Sequence, residues 1–159
     1  MEKDHTKNGT FFRFEDLRVY HKALDYIDWV YNTTKLFPDN NSVLVERFIK
    51  SSQAIAFYIA EGSARNKSQF IYYLKMAKSS VRECVVITTL AEKQGLLTDI
   101  LIGESRNELM EMTKMIGALI GSLQKPGRNK QRGNGREDDF GNEFDDEMIP
   151  EESLDIKRY

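Results

Sequence analysis

Four apolar stretches, separated by glycine, proline and polar residues, constrain the fold of this chain most strongly. Within each stretch the apolar residues repeat at intervals of three and four. That spacing places them on one face of an α-helix. We therefore predict four helices, covering about residues 16–36, 42–61, 68–94 and 98–124.

The residues between these stretches are typical of helix ends. Pro38 disfavours a helical conformation at Phe37, so it should end the first helix. Gly62 and Gly95 suit the left-handed conformation that often ends a helix, and Ser68 is a candidate cap for the third helix. Helices of similar length with short connections favour antiparallel neighbours. The predicted fold is all-α, an antiparallel up-down-up-down four-helix bundle over residues 14–124.

Composition changes on both sides of the predicted bundle. Residues 1–13 lack apolar periodicity, which predicts a flexible N-terminal arm. Residues 125–136 hold five basic residues and no acid, whereas 137–155 hold ten acids and no base. Few large apolar side chains occur there, so residues 125–159 are predicted to be a disordered basic-then-acidic tail. It is either a solvated appendage or an interaction tail that competes for a basic surface.

Cellular location is constrained by what the sequence lacks. No apolar run approaches 18 residues, and the first residues carry no apolar signal-peptide region. Cys84 is the single cysteine, which excludes an internal disulfide framework. We expect a cytoplasmic protein that has no membrane association.

The residue pattern gives little support for catalysis. His21 and Asp25 could form a histidine–carboxylate pair, which would suit a hydrolase, but an exposed helix pair is the favoured interpretation. Two distant histidines and one cysteine give no zinc-ligand spacing, and no Glu-x-x-His motif is present. Cys84 lies on an apolar face and is interpreted as a core residue. We predict no catalytic residue, no metal site and no cofactor, and hence no enzyme.

The second and third predicted helices carry apolar residues on two sides. A helix that is apolar on two sides favours two packing partners, and in a bundle of this size one of them should be another molecule. We therefore predict self-association through the residues outside the main apolar face. These residues are Ile49, Phe57, Tyr72, Met76, Val86, Ile87 and Leu90.

Positive charge is concentrated in residues 47–82, which contain seven basic residues and one acid, Glu61. A row of cations at helical spacing can neutralise successive phosphates of a nucleic acid, although a solvated charged edge is the alternative. No base-reading motif is apparent. For the nearby Tyr72 and Tyr73, packing is favoured over stacking on bases. The candidate nucleic-acid-binding residues are Arg47, Lys50, Arg65, Lys67, Lys75, Lys78 and Arg82.

Several motifs occur in the order found in one family. The chain opens its helical region with Phe14-Glu15-Asp16-Leu17-Arg18-Val19-Tyr20-His21-Lys22-Ala23, has Phe37-Pro38 after the first helix, and carries Ile59-Ala60-Glu61-Gly62 followed by Arg65. Ala77, Ser80 and Glu83 fit an Ala-x-x-Ser-x-x-Glu spacing. Over residues 14–123 the sequence resembles the bacterial four-helix bundle proteins known as 23S rRNA intervening-sequence proteins. Tyr58 departs from that pattern, since the family commonly has Asn before the Ile-Ala-Glu-Gly motif.

The resemblance implies a small non-enzymatic bundle. It extends to the accessory variability protein of diversity-generating retroelements, a pentamer with a basic surface that binds nucleic acid and a reverse transcriptase. By resemblance we expect a homopentamer that binds RNA or DNA, with a reverse transcriptase or another protein as partner. A scaffold subunit with no nucleic-acid role is the alternative. For Glu61 and Gly62 a structural role is favoured, with Glu61 pairing with Lys50 or Arg65.

Overall fold

A computed structural model describes residues 12–126 of the chain. A 3₁₀ turn, Arg13–Asp16, precedes α1 (Arg18–Thr34), and a second 3₁₀ turn, Asp39–Asn41, precedes α2 (Ser42–Ser63). Helices α3 (Lys67–Lys93) and α4 (Asp99–Gln124) follow. The four predicted helices are confirmed, and no strand occurs in this part of the chain. Apart from residues 12, 13, 125 and 126, the predicted arm 1–13 and tail 125–159 lie outside the described residues.

The helices pack in a closed ring in chain order. The backbone of α1 lies beside α2 and α4, and that of α3 also lies beside α2 and α4. Side-chain contacts fix the directions: Lys22 of α1 pairs with Glu108 while Trp29 bonds Glu104, so α1 and α4 run antiparallel. Ser51 of α2 bonds Glu83, whereas Gly62 lies against Tyr73, so α2 and α3 are antiparallel too. The predicted four-helix bundle is confirmed.

A buried hydroxyl network lies inside the apolar core. Ser105 Oγ of α4 lies 2.9 Å from Tyr26 Oη of α1 and 2.8 Å from Thr88 Oγ1 of α3. Thr88 also bonds the carbonyl of Cys84, at 2.8 Å. Burial raises the pKa of the Cys84 thiol to about 12 and also raises that of the Tyr26 hydroxyl, so both groups remain neutral at pH 7. The prediction that Cys84 is a core residue is confirmed.

Four predicted helix ends illustrate how much local sequence determines. Thr98 caps α4, its side chain accepting a hydrogen bond from the Leu101 amide, and Gly95 ends α3 with a φ of 69°. The cap of α3 is Asn66, which accepts from the Gln69 amide, so the prediction of Ser68 is wrong. The predicted left-handed stop at Gly62 is also wrong. Gly62 lies within α2 and is buried, because α2 continues to Ser63 against α3.

None of the helices within residues 12–126 is long and apolar enough to cross a membrane.

Candidate nucleic-acid interface

The outward face of α3 is defined here by Tyr72, Lys75, Ser79, Arg82 and Val86. All five residues are exposed, and their spacing of three or four keeps them on one side of the helix. The two cations lie seven residues apart, about 10 Å along the helix axis. Within residues 12–126 neither forms an ion pair with a carboxylate. The outward face therefore presents two positive groups that are free to meet an external anion.

Two further predicted contacts lie near this face. Lys67 is the first residue of α3 and is exposed, with no ion pair to any other described residue. Lys78 is only partly exposed, and it lies about three turns before Thr89 on the flank of α3 that faces α4. The three predicted cations Lys75, Lys78 and Arg82 therefore share one edge of α3, and Lys78 is the least exposed of them.

The other three predicted cations already have carboxylate partners. Arg47 pairs with Glu83 at 3.4 Å, Lys50 with Glu46 and Arg65 with Glu61 at 3.3 Å. These pairs are solvent-exposed and contribute little to stability, so an incoming phosphate could compete for the cations. Nevertheless, each carboxylate cancels positive charge locally. Counting charges only within residues 47–82 overstated the net positive charge of this region, because Glu46 and Glu83 lie one residue beyond its two ends.

The Ile59–Gly62 motif lies near the end of α2 and packs against α3. Glu61 Oε1 accepts hydrogen bonds from the Tyr73 hydroxyl at 3.2 Å and from Arg65 at 3.3 Å. A Cβ atom on Gly62 would lie 2.5 Å from Tyr73 Cβ, so glycine is what allows the two helices to approach this closely. Ile59 is fully buried in the core, whereas Ala60 is only partly buried. The predicted Glu61–Arg65 pair is confirmed. Lys50, the other predicted partner of Glu61, pairs with Glu46.

The two tyrosines of α3 have different surroundings. Tyr73 is packed: its ring lies 6.2 Å from that of Tyr58, and the Arg65 guanidinium lies 5.7 Å from its centroid. Tyr72 is 60% exposed, and its ring meets Tyr73 edge-on at 5.7 Å with an angle of 84° between the planes. Packing, the interpretation favoured from sequence, therefore describes Tyr73 and not Tyr72.

Most of the predicted subunit contacts lie on the surface. Phe57 is 67% exposed, Tyr72, Val86 and Leu90 are also exposed, and Ile49 and Met76 are partly exposed. Phe57 lines an apolar groove of about 380 Å³ between α1 and α2.

One predicted subunit contact is wrong. Ile87 is 4% exposed and belongs to the core of the bundle. Helix α3 lies between α2 and α4, so it buries a wider arc than the single apolar stripe used to assign the faces.

The histidine interpreted as a surface residue has no catalytic surroundings. The ring of His21 is exposed, and its Nε2 hydrogen-bonds the backbone carbonyl of Glu15. Among residues 12–126 no group of three histidine, cysteine, aspartate or glutamate side chains is placed to hold a metal ion. The geometry around His21 does not bring a nucleophile to it.

Comparison with solved structures supports the fold. A crystal structure from Bacteroides thetaiotaomicron, described as a protein with unknown function from the S23 ribosomal protein family, aligns with a TM-score of 0.61. It is 20% identical, and the alignment covers 65% of this chain and 95% of that one. At this identity the similarity establishes the four-helix architecture and nothing about activity.

Comparison with family models is more informative. No curated protein matches the chain significantly. However, the model of the 23S rRNA-intervening sequence protein family matches residues 15–118, which is most of the described bundle and more than half of the chain. The match contains the Ile59–Gly62 motif and the whole of α3. This chain is therefore a member of the 23S rRNA-intervening sequence protein family.

Proposed function

We propose that this protein is a non-catalytic, cytoplasmic, oligomeric bundle that binds RNA or other nucleic acid and acts as an accessory to a larger complex. The observation that carries the proposal is the pair of exposed cations, Lys75 and Arg82, without carboxylate partners among the described residues. Phosphate groups can occupy these positions without displacing an existing ion pair. The rRNA association in the family name is consistent with a nucleic-acid ligand.

The binding mechanism is electrostatic. Each phosphate that a cation neutralises releases counterions, so the affinity falls as salt rises. Within residues 12–126 the outward face of α3 offers two cations without carboxylate partners, and self-association through exposed apolar residues such as Phe57 would repeat this pair around an assembly. A homopentamer, the assembly implied by the sequence resemblance, would present five copies of the outward face of α3.

A second candidate function is a scaffold subunit that binds only protein. The observation favouring it is the apolar groove between α1 and α2, lined by Phe57, Leu24 and Ile27. A reverse transcriptase or another protein of the complex could occupy this groove. The two functions predict different effects of charge on nucleic-acid binding.

Charge reversal distinguishes the two functions. We expect Lys75→Glu/Arg82→Glu to weaken binding of a fluorescein-labelled 16-nucleotide RNA at least tenfold, measured by anisotropy, because two phosphate contacts become repulsive. The matched control is Arg18→Glu/Lys114→Glu, which makes the same charge change at exposed positions on α1 and α4. It should retain nearly native affinity.

Two outcomes would contradict nucleic-acid binding by this face. One is an affinity that stays constant between 50 and 200 mM salt or is absent at low salt. The other is equal loss in the reversal and control variants. Sedimentation velocity at micromolar concentration tests the assembly separately, and a monomer would refute the oligomer.

A further inference from the structure

Tyr72 occupies an unusual position on the outward face of α3. Its ring is 60% exposed, although burying a tyrosine side chain is generally favourable. Lys75 follows it by about one turn on the same side of the helix, and Arg65 lies over the neighbouring Tyr73 ring. A flat, exposed ring therefore lies on the same side of α3 as a cation that has no carboxylate partner within residues 12–126.

The ring of Tyr72 is also held in place by its neighbours. Tyr73 meets it edge-on at 5.7 Å, and Tyr73 is in turn fixed by the hydrogen bond of its hydroxyl to Glu61 and by its contact with Gly62. An aromatic side chain ordered before binding loses less conformational entropy when a ligand stacks on it. The Glu61–Gly62 pair thus supports an exposed ring on the adjacent helix face.

Contact with an apolar surface of another protein would suit this ring poorly. Covering Tyr72 in that way would also remove water from Lys75, about one turn away, which has no carboxylate partner within residues 12–126. Burying an unpaired charge is strongly unfavourable. A ligand that brings both a flat apolar surface and negative charge avoids this cost, and a nucleotide does so with its base and its phosphate.

We infer that the outward face of α3 binds single-stranded nucleic acid, with Tyr72 stacking on an unpaired base while Lys75, about one turn away, contacts a phosphate next to that base and Arg82 contacts a phosphate farther along the strand. This rests on the proposed nucleic-acid function and specifies its ligand. In a duplex the base faces are covered by neighbouring base pairs, whereas every unpaired base exposes a face on which an aromatic ring can stack. Stacking of this kind does not read sequence.

The test compares three labelled RNA probes of 16 nucleotides: a single strand, its perfect duplex and an abasic strand with the same backbone. The native protein should bind the single strand more tightly than the other two. Tyr72→Ala should weaken single-strand binding about 5- to 100-fold. It should leave abasic binding unchanged, and Tyr72→Phe should keep native affinity, because phenylalanine preserves the stacking surface.

Tyr31→Ala is the matched control, since Tyr31 is an exposed tyrosine next to a lysine on α1. It should have no effect on any probe. The inference is overturned if Tyr72→Ala binds the single strand as the native protein does, if it weakens abasic binding equally, or if it dissociates the assembly in sedimentation.

Failure of the inference can be distinguished from failure of the proposed function. Suppose that the native protein binds all three probes, that Lys75→Glu/Arg82→Glu abolishes this binding and that Tyr72→Ala leaves it unchanged. That outcome would refute the stacking inference and leave the nucleic-acid function standing. Absence of binding to every probe by the native protein would refute the nucleic-acid function, and the stacking inference with it.

Discussion

Two helix boundaries of the bundle are built differently. Along the α2–α3 boundary the backbones approach closely where Gly62 lies against Tyr73. The α1–α4 boundary is the least extensive of the four, and long polar side chains bridge it. There Lys22 lies between Glu108 and Glu111, at 3.0 and 2.9 Å.

The difference explains where charge remains available. At the α1–α4 boundary the carboxylates of α4 hold Lys22, so this cation serves the contact between helices. The α2–α3 boundary also has a cross-helix ion pair, Arg47 with Glu83, but at Gly62 the two backbones approach closely. Lys75 and Arg82 of α3 point outward without carboxylate partners among residues 12–126. The number of cations on a helix therefore indicates its available positive charge less well than their pairing does.

The largest expected effect is at the close α2–α3 boundary. Gly62→Val should lower the free energy of unfolding by about 3 kcal/mol, because its Cβ would lie 2.5 Å from Tyr73 Cβ, an atom attached directly to the backbone. Urea denaturation followed by circular dichroism measures the loss. The boundary has to open to admit the side chain.

Gly117→Val is the matched control for this change. Gly117 is also helical, but nothing lies within 4 Å of the position its Cβ would take. Valine and glycine differ by less than about 0.5 kcal/mol in helix propensity, so this variant should unfold close to the native midpoint. Equal stability of the two variants would show that the close approach at Gly62 is dispensable.

Sequence periodicity was sufficient to predict the four helices and their antiparallel packing. It placed Gly95 and Thr98 correctly because those ends depend on local backbone chemistry. Gly62 was assigned to a helix stop because nothing local distinguishes a left-handed glycine from one that admits a neighbouring helix. That distinction depends on Tyr73, eleven residues away.

The candidate interface was predicted less completely than the fold. Sequence identified the cations, but three of them pair with carboxylates across or along helices, as Arg47 does with Glu83. Ile87 was predicted to lie outside the core, because a helical wheel does not show how much of the circumference of α3 its two neighbouring helices cover. The different exposure of Tyr72 and Tyr73 follows from the position of α2, which the sequence alone did not define.

An intermediate effect is expected inside the α1–α4 boundary. Ser105→Ala should lower the free energy of unfolding by about 1–3 kcal/mol, since it removes the partner of the buried Tyr26 hydroxyl. In a Tyr26→Phe background the same change should cost less, because only Thr88 then loses a partner and it keeps its bond to the Cys84 carbonyl. Ser122→Ala, an exposed change on the same helix, should stay within about 0.5 kcal/mol of native. Equal costs of Ser105→Ala in both backgrounds would show that the Tyr26–Ser105 hydrogen bond contributes nothing to stability.

The smallest effect is expected for the ion pairs that bridge α1 and α4. Lys22→Met keeps most of the apolar stem and should lower the free energy of unfolding by about 1 kcal/mol or less, because these side chains remain partly solvated. Hydrogen bonds to Glu111 and Glu108 raise the pKa of Lys22 above 10.5. The stabilisation is therefore fully present below the unfolded-state pKa and is lost as pH rises through the higher folded-state value.

Urea denaturation of native and Lys22→Met protein at pH 7 and at increasing alkaline pH tests this linkage. The difference in stability should be constant around neutrality and should disappear above the folded-state pKa of Lys22, while effects shared by both proteins cancel. A difference that persists unchanged above the folded-state pKa would mean that Lys22 stabilises the boundary through packing and not through its charge. A loss as large as that of Gly62→Val would mean that both boundaries are equally rigid, and the contrast between bridged and close-packed helices would not hold.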